Sequence, residues 1–258
     1  MALYAMVSAG GSPGVTTSAL ALALTWPGLV IVAECDPSGG DVLAGLFAGH
    51  LAATSGLLPL AMEAGGSPES MATALWQQVI DLDGERSRLL LPGLTDPRQA
   101  TGLTPSWPAL AGALAALPAD VIADCGRLDP YPPSAPVLAA ARVAVLVLRP
   151  SLRQVSKARQ RIEMLAEIRG GKQQLVLLLV GRDGHSGRDV ADALGVPVAG
   201  SLTEDHRTAS VLSDGAGSRR GLAARPLLRS ARPIGRILRE TIPGALQVST
   251  VAAQGRPA

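Results

Sequence analysis

The stretch Ala9-Gly10-Gly11-Ser12-Pro13-Gly14-Val15-Thr16-Thr17 follows an apolar run, LYAMVS at residues 3–8, and precedes a segment with the composition of a helix, residues 18–26. A glycine-rich turn between a strand and a helix points backbone N–H groups outward, beside the positive end of the helix. Such a turn is a cradle for an anion. The stretch therefore predicts a phosphate-binding loop at the head of a parallel α/β domain.

The rest of the chain repeats this order of apolar run and helical segment. The runs are continuous rather than alternating, which is typical of strands covered on both faces. They lie at residues 29–33, 88–92, 121–124, 143–149, 174–180 and, as a shorter run, 196–200. Repeated strand–helix–strand order predicts a doubly wound, mostly parallel sheet with helices on both faces.

Several helix ends can be expected from local signals. Ser67-Pro68 and Thr104-Pro105 each place an N-cap before a proline at the first helical position. Ser151 is a candidate cap for a long helix that ends at Gly170. Asp205 is explained equally well as an N-cap and as a residue of a ligand-binding loop.

Composition allows one large domain, since the chain has 258 residues and is 47% hydrophobic. No repeat or internal boundary is visible, so we expect one domain over residues 1–242 and a loose tail over 243–258. The start of the chain has no basic region, and Pro27-Gly28 divides the uncharged stretch 10–33 into pieces too short to span a membrane. Two cysteines, Cys35 and Cys125, form no disulfide framework or zinc motif. We expect a cytoplasmic protein.

As a motif, the loop matches the P-loop pattern G-x-x-x-x-G-K-[ST] only in part. Gly14 and Thr16 stand at the second glycine and at the hydroxyl that binds magnesium. Ala9 stands at the first glycine, and Val15 replaces the lysine. On this ground alone, an ordinary glycine-rich β–α turn would explain the loop as well.

Two carboxylates strengthen the functional interpretation. Asp36 follows the second apolar run, and Asp124 closes the run before Cys125. The carboxyl ends of parallel strands face the ligand crevice of an open sheet. Either aspartate alone would fit a turn or an N-cap, but both together behind a phosphate loop could hold magnesium and an attacking water.

These segments resemble the ParA/MinD family of P-loop ATPases, and particularly its atypical CpaE/TadZ-like branch. Residues 10–17 resemble the family's deviant Walker A motif, K-G-G-x-G-K-[ST]-T, and residues 34–40 resemble its D-x-D-P-x-G-G. Asp124 resembles its Walker B aspartate. Residues 147–162 and 196–215 resemble the later strand and helix and the P-x-x-G-x-I-P-x-D segment, so the similarity covers about residues 2 to 240.

The resemblance implies ATP and Mg²⁺ as ligands, a nucleotide-dependent homodimer, and the positioning of a cargo such as a chromosome segment, a septum or a pilus machine. Asp36 would orient water and is the candidate catalytic residue. The candidate magnesium residues are Thr16, Asp36 and Asp124. The candidate nucleotide-binding residues are Gly10, Gly11, Ser12, Pro13, Gly14, Val15, Thr16 and Thr17. The protein cargo is not identified by the sequence.

Three departures from the family pattern bear on hydrolysis. Gly10 stands at the signature lysine, which family members reach across a sandwich dimer. Val15 stands at the phosphate-binding lysine, and Glu34 replaces the first aspartate of D-x-D. Losing a lysine beside three phosphates removes a large charge from the transition state. We therefore expect ATP binding with weak or lost hydrolysis, or a cation supplied by a partner; the alternative is a non-catalytic dimerising scaffold for a pilus or secretion assembly.

A Rossmann-type NAD(P)-binding protein is the less favoured alternative. Gly10, Gly14 and Glu34 have the spacing of that fingerprint. However, Thr16 stands where its third glycine would be, and no Tyr-x-x-x-Lys pair is present.

The last predicted helix carries a basic face. A solvated face is the commoner explanation, and contact with DNA or an acidic surface is the functional one. Apolar residues on the same helix could dock on the domain or lie on a membrane, and docking is favoured. The scattered histidines indicate no metal site. The basic run comprises Arg219, Arg220, Arg225, Arg229, Arg232, Arg236 and Arg239, of which the five from Arg225 onward recur at spacings of three and four along one helix face.

Overall fold

The computed structural model describes residues 1–50, 54–63, 67–182, 184–218 and 220–240. Within them lies a sheet of eight strands flanked by helices. The strands are β1 (Leu3–Ser8), β2 (Val30–Glu34), β3 (Ile80–Asp81), β4 (Arg88–Leu91), β5 (Asp120–Arg127), β6 (Val143–Leu148), β7 (Leu175–Val180) and β8 (Val198–Leu202). The helices are α1 (Val15–Ala23), α2 (Leu57–Glu63), α3 (Pro68–Gln78), α4 (Gln99–Leu103), α5 (Trp107–Ala116), α6 (Ala135–Ala140), α7 (Leu152–Arg169), α8 (Gly187–Leu194), α9 (His206–Asp214) and α10 (Pro226–Glu240).

The strand order places the first strand at the centre of the sheet. It runs β3-β4-β2-β5-β1-β6-β7-β8, and all neighbours are parallel except the antiparallel pair β3 and β4. The chain winds from β1 to one edge and later to the other, which makes β1 the point where the winding direction changes. Ligands of open α/β sheets bind at the carboxyl ends of the strands at such a point. The doubly wound, mostly parallel sheet predicted from the sequence is confirmed.

Helices cover the sheet on both faces, and each face has its own apolar core. Along β1, Leu3, Ala5 and Val7 pack into one core, and Tyr4 and Met6 pack into the other. The first core includes side chains of α3, α5, α6, α7 and α8, and the second includes side chains of α1, α9 and α10. Burial on both faces explains why the strands read as continuous apolar runs.

Some local predictions are confirmed and others are wrong. The Ser67 side chain accepts a hydrogen bond from the Ser70 amide and caps α3. Thr104 does not cap a helix, because its backbone is helical and its hydroxyl donates to the Ala100 carbonyl, so α5 begins only at Trp107. α7 begins after Ser151, whose side chain makes no capping hydrogen bond.

The first helix and one strand also differ from expectation. The helix was expected over residues 18–26 but begins at Val15, directly at the end of the loop. β3 has only two residues and no apolar run, so it was not predicted.

A buried polar cluster lies at the amino ends of the central strands, opposite the glycine-rich loop. Asp120 accepts hydrogen bonds from the Ala2 amide at 2.9 Å and from Trp26 Nε1 at 3.0 Å. Arg239 Nε of α10 lies 3.1 Å from the same carboxylate. The Tyr4 ring packs edge-on against Trp26, with the ring centroids 5.1 Å apart. The cluster joins β1, β5, α10 and the segment that follows α1.

Tyr4→Phe is expected to reduce the sensitivity of this protein to alkali. Burial, followed by the nearby Asp120 carboxylate, raises the pKa of Tyr4 to about 12. A raised pKa in the folded state gives stability that is present below the unfolded pKa and lost as pH rises through the folded one. Between about pH 9 and about pH 11, the wild type should lose about 1 kcal/mol more free energy of unfolding than the variant. Urea unfolding at both pH values measures this.

Tyr131→Phe is the matched control, because it makes the same chemical change on a ring that is 94% exposed. It should follow the wild type across the pH range. A Tyr4→Phe protein with the same alkaline loss as the wild type would contradict the prediction.

Candidate functional site

The loop after β1 has the backbone of an anion cradle. Gly10, Gly11, Ser12 and Gly14 have φ angles of 132°, 77°, 45° and 92°. Gly14 is the N-cap of α1 and offers no side-chain cap, so the first amides of the helix are free to meet a ligand. At Gly10 and Gly14 these angles strongly favour glycine.

Thr16 and Asp124, which are distant in sequence, form a direct hydrogen bond. Thr16 Oγ1 donates to Asp124 Oδ2 at 2.5 Å, and the Gly126 amide donates to Asp124 Oδ1 at 3.0 Å. The pairing follows from the sheet, because β1 lies beside β5. Burial raises the pKa of Asp124 to about 6, against the lowering effect of these two hydrogen bonds. A hydroxyl and a carboxylate held together at a phosphate loop are a fitting donor set for Mg²⁺.

Asp36 lies beside this pair, at the end of β2. Its Oδ1 accepts a hydrogen bond from the Ser38 amide at 2.8 Å. Its carboxylate packs on Gly126, where φ is 64° and an added Cβ would overlap the carboxylate. The negative charge of Asp36 contributes to the raised pKa of Asp124. The structure thus brings together Thr16, Asp36 and Asp124, while their roles remain predictions.

Glu34 pairs in register with Asp124 but is held by backbone amides of two loops. Its Oε1 accepts a hydrogen bond from the Val42 amide at 3.0 Å, and its Oε2 accepts one from the Gly93 amide at 3.2 Å. Burial raises the pKa of Glu34 to about 7. The carboxylate therefore anchors two loops, and it is only 3% exposed, which leaves it unavailable to the ribose that the Rossmann interpretation requires.

Neither Gly10 nor Val15, which stand where the family motif has lysines, carries a positive charge. Val15 is 7% exposed and packs in the core with α1. A Cβ on Gly10 would meet no other atom within 4 Å, so the space beside it is open. Residues 9–17 themselves contain no lysine or arginine.

A cleft of about 120 Å³ opens on the α9 side of the loop. The loop contributes Pro13, Gly14 and Thr17, and the opposite wall includes Val180 and Leu202. Its size and mixed lining suit one part of a small ligand rather than a whole nucleotide.

Two charged residues at this cleft were missed by the sequence reasoning. Arg149 Nη2 forms an ion pair with Glu204 Oε1 at 2.8 Å. Both follow strands, β6 and β8, so the rule that strand ends face the crevice could have found them. Asp205 instead caps α9, since its Oδ1 accepts a hydrogen bond from the Thr208 amide and its Oδ2 accepts one from the Thr208 hydroxyl.

The two cysteines are buried and free. Contact with Cys35, together with burial, holds the pKa of Cys125 well above its ordinary value. A thiol in this state is unreactive, which agrees with their interpretation as small buried residues. Over the described ranges, no group of three or more His, Cys, Asp or Glu side chains could hold a metal.

The basic helix docks on the domain through its apolar face. Leu227, Leu228, Ile234 and Leu238 are buried. Arg229, Arg232, Arg236 and Arg239 are exposed, although Arg239 also pairs with Asp120. Arg219 and the tail 243–258 lie outside the described residues. Within the part of the chain that the structure describes, no helix is both long and apolar enough to cross a membrane.

The fold is that of the ParA/MinD ATPases, as comparison with solved structures shows. A ParA family ATPase from Chlorobium tepidum TLS matches with a TM-score of 0.69 at 14% identity, over 91% of this chain and 97% of that chain. The septum site-determining protein MinD from Pyrococcus horikoshii OT3, complexed with Mg-ADP, matches with a TM-score of 0.70 at 15% identity, over 93% and 96%. A putative plasmid partition protein from Borrelia burgdorferi B31, bound to AMPPNP, matches with a TM-score of 0.69 at 12% identity, over 93% and 99%.

No family model matches the sequence, and no curated protein matches it. The solved structures confirm the resemblance to the ParA/MinD family at the level of the fold. The closer likeness to the CpaE/TadZ-like branch stays a prediction.

Proposed function

We propose that this chain binds ATP with Mg²⁺ and acts as a ParA/MinD-like positioning protein whose hydrolysis is weak or lost. The observation that carries the proposal is the hydrogen bond from Thr16 to Asp124 at the end of a glycine-rich loop. It holds a hydroxyl and a carboxylate where a P-loop protein places magnesium. Two structures with this fold were solved with Mg-ADP and with AMPPNP, which supports a nucleotide as the ligand.

Each part of the loop has a task in this proposal. The backbone N–H groups of residues 10–12 and 14–17 would hold the phosphates, since the positive φ angles from Gly10 to Gly14 give the loop the shape of an anion cradle. Thr16 Oγ1 would bind Mg²⁺, and Asp124 would hold the ion through a water. Asp36, which packs on Gly126, would orient the attacking water. Magnesium would supply charge neutralisation at the phosphates.

Weak hydrolysis follows from the missing lysines. With Val15 buried, no lysine reaches the phosphates from this position. Removing a preorganised charge from the transition state costs far more in rate than in ground-state binding. The same observation favours the alternative of a non-catalytic dimerising scaffold for a pilus or secretion assembly. ATP turnover measured with and without DNA separates the two, because only an ATPase is stimulated.

The partners in this proposal follow from charge and fold. A second copy of the chain would complete a nucleotide-dependent dimer in the cytoplasm. The exposed arginines of α10 present positive charge to a DNA backbone or an acidic protein surface. The cargo would be a chromosome or plasmid segment, a septum or a secretion machine.

Thr16→Val is expected to weaken binding of ATP in the presence of Mg²⁺ by about tenfold or more. Valine keeps the branched shape but removes the hydroxyl that faces Asp124 and the ion. Isothermal titration calorimetry with ATP and MgCl₂ measures the change. Wild-type protein that binds no ATP at millimolar concentration would refute the proposed function.

The control is Thr25→Val, just beyond the carboxyl end of α1. The Thr25 hydroxyl donates only to the backbone carbonyls of Ala21 and Leu22, at 2.9 and 3.2 Å. The control makes the same chemical change away from the loop, so its affinity should equal that of the wild type. Equal losses in both variants would point to a general effect on the helix.

A further inference from the structure

A second depression, of about 420 Å³, lies on the opposite side of the loop from the cleft. Ala9, Gly10 and Gly11 form its inner wall. Three basic side chains, here called the cationic cluster, surround it: Arg127, Lys157 and Arg161. The sequence motifs predict no role for these three residues.

The topology explains how these residues meet. Arg127 is the last residue of β5 and pairs in register with Ser8 of β1. Lys157 and Arg161 lie one turn apart on α7, which follows β6. Because β5 and β6 are the two neighbours of β1, their carboxyl ends place the cationic cluster beside the start of the loop.

The cationic cluster has an excess of positive charge. The one acid at the depression is Asp129, whose Oδ1 lies 3.1 Å from Arg127 Nε. Both of these side chains are more than half exposed, so their attraction is largely screened by solvent. In the described ranges, Lys157 and Arg161 form no ion pair, although Arg161 Nη1 lies 3.0 Å from Met164 Sδ. Three cations against one acid leave a net positive charge at the depression.

A further arginine near the loop, Arg149, is already paired with an acid. Arg149 lies in the cleft, where Glu204 is 2.8 Å from its guanidinium. Charge for a bound phosphate is thus available on the side of Gly10, which is the position of the absent signature lysine. The space there is open, because a Cβ on Gly10 would touch nothing within 4 Å.

We propose that the cationic cluster binds the terminal phosphate of an ATP held by the glycine-rich loop, residues 9–17. It would supply the positive charge that is missing because Gly10 and Val15 replace the two lysines of the family motif. The inference rests on the proposed ATP binding. In this arrangement the cationic cluster distinguishes ATP from ADP, because only ATP has the terminal phosphate.

The test removes one arginine and one lysine from the cationic cluster. Arg127→Gln with Lys157→Gln should weaken binding of AMPPNP with Mg²⁺ by about tenfold or more, because hydrogen bonds between charged groups are among the strongest in proteins. Binding of ADP with Mg²⁺ should change by less than about twofold, since ADP lacks the terminal phosphate. Calorimetric titration of the full chain with each nucleotide gives both values.

The matched control also removes one arginine and one lysine. Arg86 and Lys172 precede β4 and β7, so they lie at the amino edge of the sheet, away from the loop. Arg86→Gln with Lys172→Gln should bind AMPPNP and ADP as the wild type does. If the two double variants behave alike, or if the first loses AMPPNP and ADP affinity equally, the inference is wrong. Wild-type protein that binds neither nucleotide would instead overturn the proposed function, and this inference with it.

A mixing experiment identifies the copy whose nucleotide is bound. The Arg127→Gln/Lys157→Gln protein is titrated with AMPPNP alone and in an equimolar mixture with the Thr16→Val protein, which keeps the cationic cluster. Recovery of tight binding in the mixture assigns the phosphate to a second copy. If the double variant alone binds AMPPNP weakly and the mixture does not recover tight binding, the cationic cluster contacts the phosphate of the nucleotide held by its own chain.

Discussion

The Asp124→Asn protein is expected to fold and to lose the magnesium-dependent part of its ATP affinity, by about 10–100-fold. Asparagine has the same shape, and its carbonyl oxygen can still accept the hydrogen bond that Gly126 donates to Asp124 Oδ1. Its amide faces Thr16 Oγ1, which can turn to accept instead of donating. The negative charge that a magnesium ion requires is gone, while the packing of the strand end is kept.

Titration with ATP in MgCl₂ and in EDTA separates the ion from the fold. In EDTA, the wild type and the Asp124→Asn variant should bind ATP equally weakly. In MgCl₂, only the wild type should gain affinity. Circular dichroism shows whether the variant is folded. A folded variant that gains as much affinity from Mg²⁺ as the wild type does would remove Asp124 from the site.

The sequence was sufficient for the architecture because the signal was repeated along the chain. Strands buried on both faces appear as apolar runs, and the glycine-rich loop marks the first strand–helix connection. The ends of the helices were harder to predict, because a short 3₁₀ helix such as Thr104–Ser106 can connect one helix directly to the next. β3 has two half-buried residues held by pairing with β4, so no local pattern could reveal it.

Proximity at the site was predictable, but side-chain direction was not. The rule that strand ends share one edge correctly placed Asp36 and Asp124 near Thr16. The same rule says nothing about Glu34, whose carboxylate is enclosed by amides from residues 42 and 93. The cationic cluster was missed for a related reason. Arg127 and Lys157 lie on different elements, and only the strand order brings them to the same loop.

Asp120 is expected to contribute more to stability than any exposed aspartate of this chain. Its side chain is 3% exposed, and its carboxylate accepts hydrogen bonds from the Ala2 amide and Trp26 Nε1 and pairs with Arg239 Nε. Asp120→Ala leaves two buried donors without an acceptor and removes the carboxylate that pairs with Arg239. Each buried donor left unpaired costs about 1–3 kcal/mol, so the free energy of unfolding should fall by about 3–5 kcal/mol.

Urea unfolding followed by circular dichroism measures this loss, and Asp192→Ala provides the control. Asp192 is on the surface of α8, and its side chain is 75% exposed and 3.9 Å from Arg188, so removing it should leave the unfolding midpoint unchanged. Trp26→Phe adds a second comparison, since it removes one donor while keeping a ring against Tyr4. In the Trp26→Phe background, Asp120→Ala should cost less than in the wild type, because one unpaired donor is absent. A loss of less than about 1 kcal/mol for Asp120→Ala would show that α10 and the start of β1 are held by apolar packing alone.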